Sequence, residues 1–119
     1  MSDEPACRFT ITRPPSTNAL YANVPGKGRV KTKRYREWIE LAGWEIKLAC
    51  PGRLPYFGHG LRDMLIEGVS GIDTDNVKAV PDLLKRLHII PDDKLIDMLR
   101  IKRGGGGDHI VVSIWPMGD

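Results

Sequence analysis

No stretch of this sequence approaches the roughly 18 consecutive apolar residues that a membrane-spanning helix requires, so a transmembrane protein is not expected. Cysteine is scarce. Cys7 and Cys50 stand alone, without the paired spacing of a zinc ribbon or a CxxC redox motif, which argues against a disulfide scaffold and leaves two reduced thiols as the expectation. The N-terminus, Met1-Ser2-Asp3-Glu4-Pro5, lacks a basic segment followed by an apolar one. No ordinary secretory signal is read there, and a cytoplasmic protein is expected, with residues 1–6 flexible. Nor is there a large excess of one charge. The 18 Lys and Arg against 15 Asp and Glu give +3, too little for the balance alone to announce a nucleic-acid binder.

What is present suits one modest core: 119 residues, 41% hydrophobic, predict a single domain over 1–119. Cys7 to Thr12 alternates in polarity and carries β-branched residues, which predicts a first strand ended by Arg13-Pro14-Pro15. Ser16 to Lys31, rich in Pro, Gly, Asn and Ser, reads as a loop. Thr32 suits the N-cap of a long helix running to about Cys50, where Pro51-Gly52 stops it. Tyr35, Trp38, Ile39, Ala42, Ile46 and Ala49 recur along it at three- and four-residue steps. Leu41, Trp44 and Leu48 widen that face, which fits either a broad core-facing helix or a contact between copies. Leu61 to Val69 reads as a second strand, and Asn76 to Leu87 holds a second helix that Pro81 pushes to start near Val80. Leu95–Lys102 and His109–Trp115 are expected as two strands of an antiparallel hairpin joined by the glycine run. The order β-α-β-α-β-β predicts an α+β domain: a mixed sheet of about four strands with two helices on one face.

The densest positive stretch holds Lys27, Arg29, Lys31, Lys33, Arg34 and Arg36, with Tyr21, Tyr35 and Trp38 interleaved or close by. This suits phosphate contacts and base stacking, or simply a solvated basic loop. The acidic counterpart is Gly71-Ile72-Asp73-Thr74-Asp75-Asn76. In extended chain, carboxylates one residue apart leave the same side of the backbone. Mg²⁺ prefers oxygen ligands, keeps several waters and takes only one or two carboxylates, so Asp73 and Asp75 would suffice with a substrate phosphate. Asp92-Asp93 offers a third carboxylate and, with it, a two-metal arrangement for phosphodiester hydrolysis. Lys78 follows closely enough to neutralise charge on a scissile phosphate. Asp-Thr-Asp-Asn before a helix is also ordinary capping and turn chemistry, and spacing alone does not choose between them. An EF-hand is excluded, because Val77, Lys78 and Leu84 stand where its pattern needs an oxygen ligand, Gly and Glu. His59, His88 and His109 are too scattered to suggest zinc, and the tetraglycine run lacks the ending of a phosphate-binding P-loop.

Taken in order, Pro14-Pro15-Ser16-Thr17-Asn18 followed by Tyr21, then Asp73-Thr74-Asp75-Asn76, then Asp92-Asp93 ahead of a strand, the chain resembles the RusA family of Holliday junction resolvases, from about Phe9 to Trp115. The resemblance implies a small homodimeric endodeoxyribonuclease, dependent on Mg²⁺ with Mn²⁺ as a substitute, that binds four-way DNA junctions and nicks opposed strands. It assigns the metal ligands to Asp73, Asp75 and Asp93, and the catalytic lysine to Lys78. The family's lysine follows the Asn by three positions, whereas Lys78 follows Asn76 by two, and Asp82 is likewise one position early. One residue fewer turns a helical side chain by about 100°. Ser70-Gly71-Ile72 stands where relatives often carry basic residues, which shifts DNA grip to the Lys27–Arg36 stretch. Two alternatives remain: a nuclease acting on flaps or forks, and a non-catalytic module that binds branched DNA.

Overall fold

The alternating Cys7–Thr12 segment forms β1, burying Phe9 and Ile11 while Arg8 and Thr10 face outward. The computed structural model describes residues 4–15, 21–68, 77–104 and 107–118. Along them follow β2 (Tyr21–Val24), β3 (Gly28–Lys31), α1 (Lys33–Ala49), β4 (Leu61–Glu67), α2 (Ala79–Arg86), β5 (Leu99–Lys102) and β6 (His109–Pro116). A four-stranded mixed sheet in the order β1-β6-β4-β5, a separate β2-β3 ladder and two helices make an α+β fold.

The expected β5–β6 hairpin is corrected by this order. β4 lies between the two strands, pairing antiparallel with β6 and parallel with β5. The reason is α2: a helix joining β4 to β5 is a crossover, and a crossover returns the second strand parallel to the first. β5 and β6 are therefore not neighbours in the sheet. β5 is also shorter than expected, because Asp93–Leu95 forms a 3₁₀ turn whose cap, the Asp92 Oδ1, accepts the Lys94 N–H at 3.0 Å.

A second correction concerns the segment read as a loop up to Lys31, whose described part is the β2–β3 hairpin. Its turn, Val24-Pro25-Gly26-Lys27, closes when the Lys27 N–H donates to the Val24 carbonyl at 3.0 Å. Gly26 sits at φ 80°, and Pro followed by Gly at the two central positions is the signature of a type II turn.

The helices follow their local signals. Thr32 Oγ1 accepts the Tyr35 N–H at 3.2 Å and caps α1. Pro81 falls in the first turn of α2, where a missing N–H costs no helical hydrogen bond. One cluster of buried residues forms the core. Register places Phe9 and Ile66 opposite Val112, Ile11 opposite Ile110 and Met64 opposite Ile114, all on the face covered by Trp38, Ile46, Leu83 and Leu84 of the helices. A register shift between Leu61 and Asp63 lets both Leu61 and Met64 point into that core. On the other face the Arg100 guanidinium lies 2.7 Å from Asp63 and 5.3 Å from the centroid of the Trp115 ring. Cys7 and Cys50 are free and half-buried. Among the described residues no helix is long and apolar enough to cross a membrane.

Candidate nucleic-acid interface and metal centre

The basic stretch divides between two elements. Lys27, Arg29 and Lys31 belong to the β2–β3 arm, and Lys33, Arg34 and Arg36 to the first turn of α1. All six are exposed except Lys31, which is half-buried. The first turn of α1 holds no acidic residue. Cations at a helix N-terminus oppose the helix dipole, so this turn gives up some stability and presents both charge and backbone N–H groups to an anion.

The arm is tied down by aromatic rings and one carboxylate. Tyr21 meets Tyr35 edge to face at 5.6 Å between centroids, and the Arg29 guanidinium sits 4.2 Å over the Tyr21 ring. Tyr35 Oη donates to Asp82 Oδ2 at 2.8 Å, and Lys31 Nζ lies 3.6 Å from the same oxygen. Burial first, and then the hydrogen bond to Asp82 and its negative charge, push the Tyr35 phenol well above the ordinary tyrosine value. Asp82 stands in the first turn of α2, four residues after Lys78 at its N-cap, a spacing that puts both on one helix face. The basic arm thus docks at the end of α2 that follows the acidic motif. The bond from Tyr35 to Asp82 spans 47 residues, and nothing in local spacing announces it.

Asp73 and Asp75 lie outside the described residues, as do Ser16, Thr17 and Asn18 of the upstream motif. Lys78 is exposed. Asp93 is exposed at the opening of the 3₁₀ turn, beside Asp92. The Lys94 backbone N–H, the neighbouring Asp93 carboxyl and the Lys85 and Lys94 ammonium groups hold the Asp92 carboxyl below its ordinary value. Lys85 follows Lys78 by seven residues, two turns or about 10 Å along α2. Asp92-Asp93 therefore sits by the last turn of the helix whose first turn carries Lys78. These donors are carboxylate oxygens, the ligand type of a hard divalent cation. Among the described residues no group of three or more metal-ligating side chains converges.

Glu45 ties α1 to the end of β1. It accepts the Thr12 N–H at 2.8 Å and the Thr12 hydroxyl at 3.0 Å, and His109 Nε2 stands 3.8 Å from its carboxylate. Gly104 and Gly107 of the glycine run, with Glu67, Lys102, Arg103 and His109, line a cleft of about 450 Å³. No protein-family model matches this sequence and no curated protein matches it, so the site is read from the chemistry of its own residues.

Proposed function

We propose that this protein is a Mg²⁺-dependent endodeoxyribonuclease that resolves four-way DNA junctions as a homodimer. The observation that carries the reading is the Tyr35–Asp82–Lys31 tie, which joins a cationic arm to the first turn of the helix that follows the Asp73-Thr74-Asp75-Asn76 motif. A nuclease needs a phosphate-gripping surface beside its hydrolytic carboxylates, and this tie supports that juxtaposition. Asp75 precedes Lys78 by three residues, so covalent geometry alone keeps their Cα atoms within about 11 Å.

In this reading Lys27, Arg29 and Lys31 of the arm, with Lys33, Arg34 and Arg36 of α1, neutralise backbone phosphates and release counterions. Asp73, Asp75 and Asp93 would hold Mg²⁺ or Mn²⁺, and the ion would supply Lewis acidity for phosphodiester hydrolysis. Lys78 offsets charge that develops at the scissile phosphate. Paired nicks on opposed strands need two sites. The exposed stripe Leu41, Trp44 and Leu48 on α1, 49%, 64% and 75% accessible, is apolar surface that a second copy would cover, with the terminal strands as the other candidate contact.

A synthetic four-way junction in Mg²⁺ or Mn²⁺ at modest salt tests the proposal. Wild type yields paired nicks. Asp75→Asn, which removes charge and nearly keeps shape, is expected to lose cleavage by at least about 100-fold while retaining junction binding. No cleavage by wild type overturns the proposal, and preferential cutting of flaps or forks reassigns the substrate.

A further inference from the structure

Where β1 ends, the chain is fastened on both sides. The Trp38 indole N–H donates to the Thr12 carbonyl at 2.7 Å, and the Arg13 N–H donates to the Asp108 carbonyl at 2.8 Å. Arg13 is thus held in place by its backbone, yet its side chain is not satisfied. Its Nε and one Nη are shielded from solvent and have no hydrogen-bond partner among the described residues. Shielded donors on a charged group, left without acceptors, cost stability and ask for an explanation.

The surroundings supply one. Arg13 lines a cleft of about 500 Å³ between the end of β1 and the first half of α1, with Arg34, Glu37, Trp38, Leu41 and Asp108 on its walls. Arg34 stands in the helix turn that carries three cations and no carboxylate. Glu37 faces Lys33 at 3.7 Å, which offsets its charge and leaves Asp108 as the remaining acidic wall. We infer that this cleft takes a phosphate of a nucleic-acid backbone, with Arg13 as the inner anchor and Arg34 as the outer one. The guanidinium fork presents parallel N–H groups that match two phosphate oxygens, and to meet them the Arg13 side chain turns its shielded Nε–H and Nη–H outward into the cleft. A strand phosphate is favoured over a free anion because Arg34 is contiguous with Lys33, Arg36 and the arm, so one backbone can run from the arm over α1 to the end of β1. The inference rests on the DNA-binding half of the proposed function and needs no cleavage.

Fluorescence anisotropy with a labelled four-way junction, without divalent metal and across a salt series, tests it in Arg13→Met, which keeps an apolar stem. The expected result is a Kd about 10-fold higher or more, and a plot of log K against log salt shallower by about 0.9. The melting temperature of the free variant should equal or exceed that of wild type, since an unpaired shielded charge has been removed. Arg34→Met should weaken binding by a smaller factor with a similar change in slope. Unchanged affinity and slope in Arg13→Met overturn the inference. So does a lowered melting temperature in Arg13→Met alongside wild-type binding by Arg34→Met, which makes Arg13 a structural residue. Inorganic phosphate provides the third arm: if it raises the melting temperature of wild type but not of Arg13→Met, and DNA affinity is the same in both, the occupant is free phosphate and the strand assignment falls. A protein that binds junctions through this cleft without cutting them sinks the nuclease reading and leaves this inference standing.

Discussion

The four-stranded sheet and the β2–β3 arm are both hydrogen-bonded ladders, yet different forces keep them in place. In the sheet, β6 and β4 have neighbours on both sides, and Ile66, Ile110 and Ile114 lose all contact with solvent. The arm has two strands of four residues, and neither buries a single side chain fully. A lone two-stranded hairpin is marginal in water. The arm holds its position through Tyr21 against Tyr35 and through Lys31 beside Asp82, contacts at its base, while Lys27 and Arg29 stay in solvent. Burial therefore sets the shape of the sheet, whereas a few polar and aromatic contacts aim the arm, and three of the cations that would meet DNA, Lys27, Arg29 and Lys31, sit on the more weakly held element.

The largest effect expected from this contrast is in the sheet. Phe9 is 1% exposed and opposes Val112 on the helix-covered face, so Phe9→Ala should cost about 3–5 kcal/mol in urea unfolding. Lys27→Gln on the arm should move the same midpoint by less than about 0.5 kcal/mol. Equal losses at the two positions would erase the distinction.

Tyr35 sharpens the comparison because it belongs to both regions: its ring lies in the core and its hydroxyl reaches Asp82. Tyr35→Phe keeps the ring and removes the bond to the carboxylate, with an expected loss of about 1.5–3 kcal/mol. The pH dependence carries a sign. The folded phenol is raised above the ordinary tyrosine value, so the unfolded chain releases its proton first, near pH 10. Its contribution is fully present below that pH and is lost as pH rises beyond it. Wild type should therefore lose stability above about pH 10 more steeply than Tyr35→Phe, measured as the urea midpoint between pH 8 and pH 11. Parallel curves would mean that the Asp82 bond adds nothing to folding.

How much of this could be read from the chain follows the same divide. β1, the Thr32 cap and the apolar periodicity of α1 were legible, because each is a local pattern with a local cause. The arm was hidden in a run of turn-forming residues, although Pro25-Gly26 between Val24 and Lys27 was a usable turn signal. The pairing of β5 was not legible, since choosing β4 over β6 depends on where α2 packs. At the candidate site the basic stretch could be seen as charge, but not its division between an arm and a helix turn. Asp82 carries no local sign of its bond to Tyr35, and Arg13 none of its shielded nitrogens, which only a folded chain creates. Asp73, Asp75 and Asp93 stand out by their carboxylate chemistry and by their resemblance to a family pattern. Of these, Asp93 has a described place, at the far end of α2 from Lys78.

The two ends of α2 repeat the contrast on a smaller scale and give the smallest prediction. Its first turn is gripped by Tyr35 of α1 and Lys31 of the arm, whereas its last turn closes on backbone hydrogen bonds. The His88 N–H donates to the Lys85 carbonyl at 3.1 Å and the Ile89 N–H to the Leu84 carbonyl at 2.9 Å, the paired bonds of a Schellman motif. That motif puts His88 at φ 60°, a left-handed conformation in which Cβ crowds the following carbonyl and which glycine adopts without that penalty. The imidazole is exposed, so little packing offsets the strain. His88→Gly relieves it but gives the unfolded chain more freedom, and the balance should be a gain of about 0.5–1 kcal/mol in urea unfolding. Junction affinity should not move, because the backbone path to Asp92 and Asp93 is kept. A loss of stability would mean that the ring makes a contact worth more than the strain; a change in affinity would mean that the C-terminal end of α2, and not only its arm-bound end, sets the DNA-binding surface.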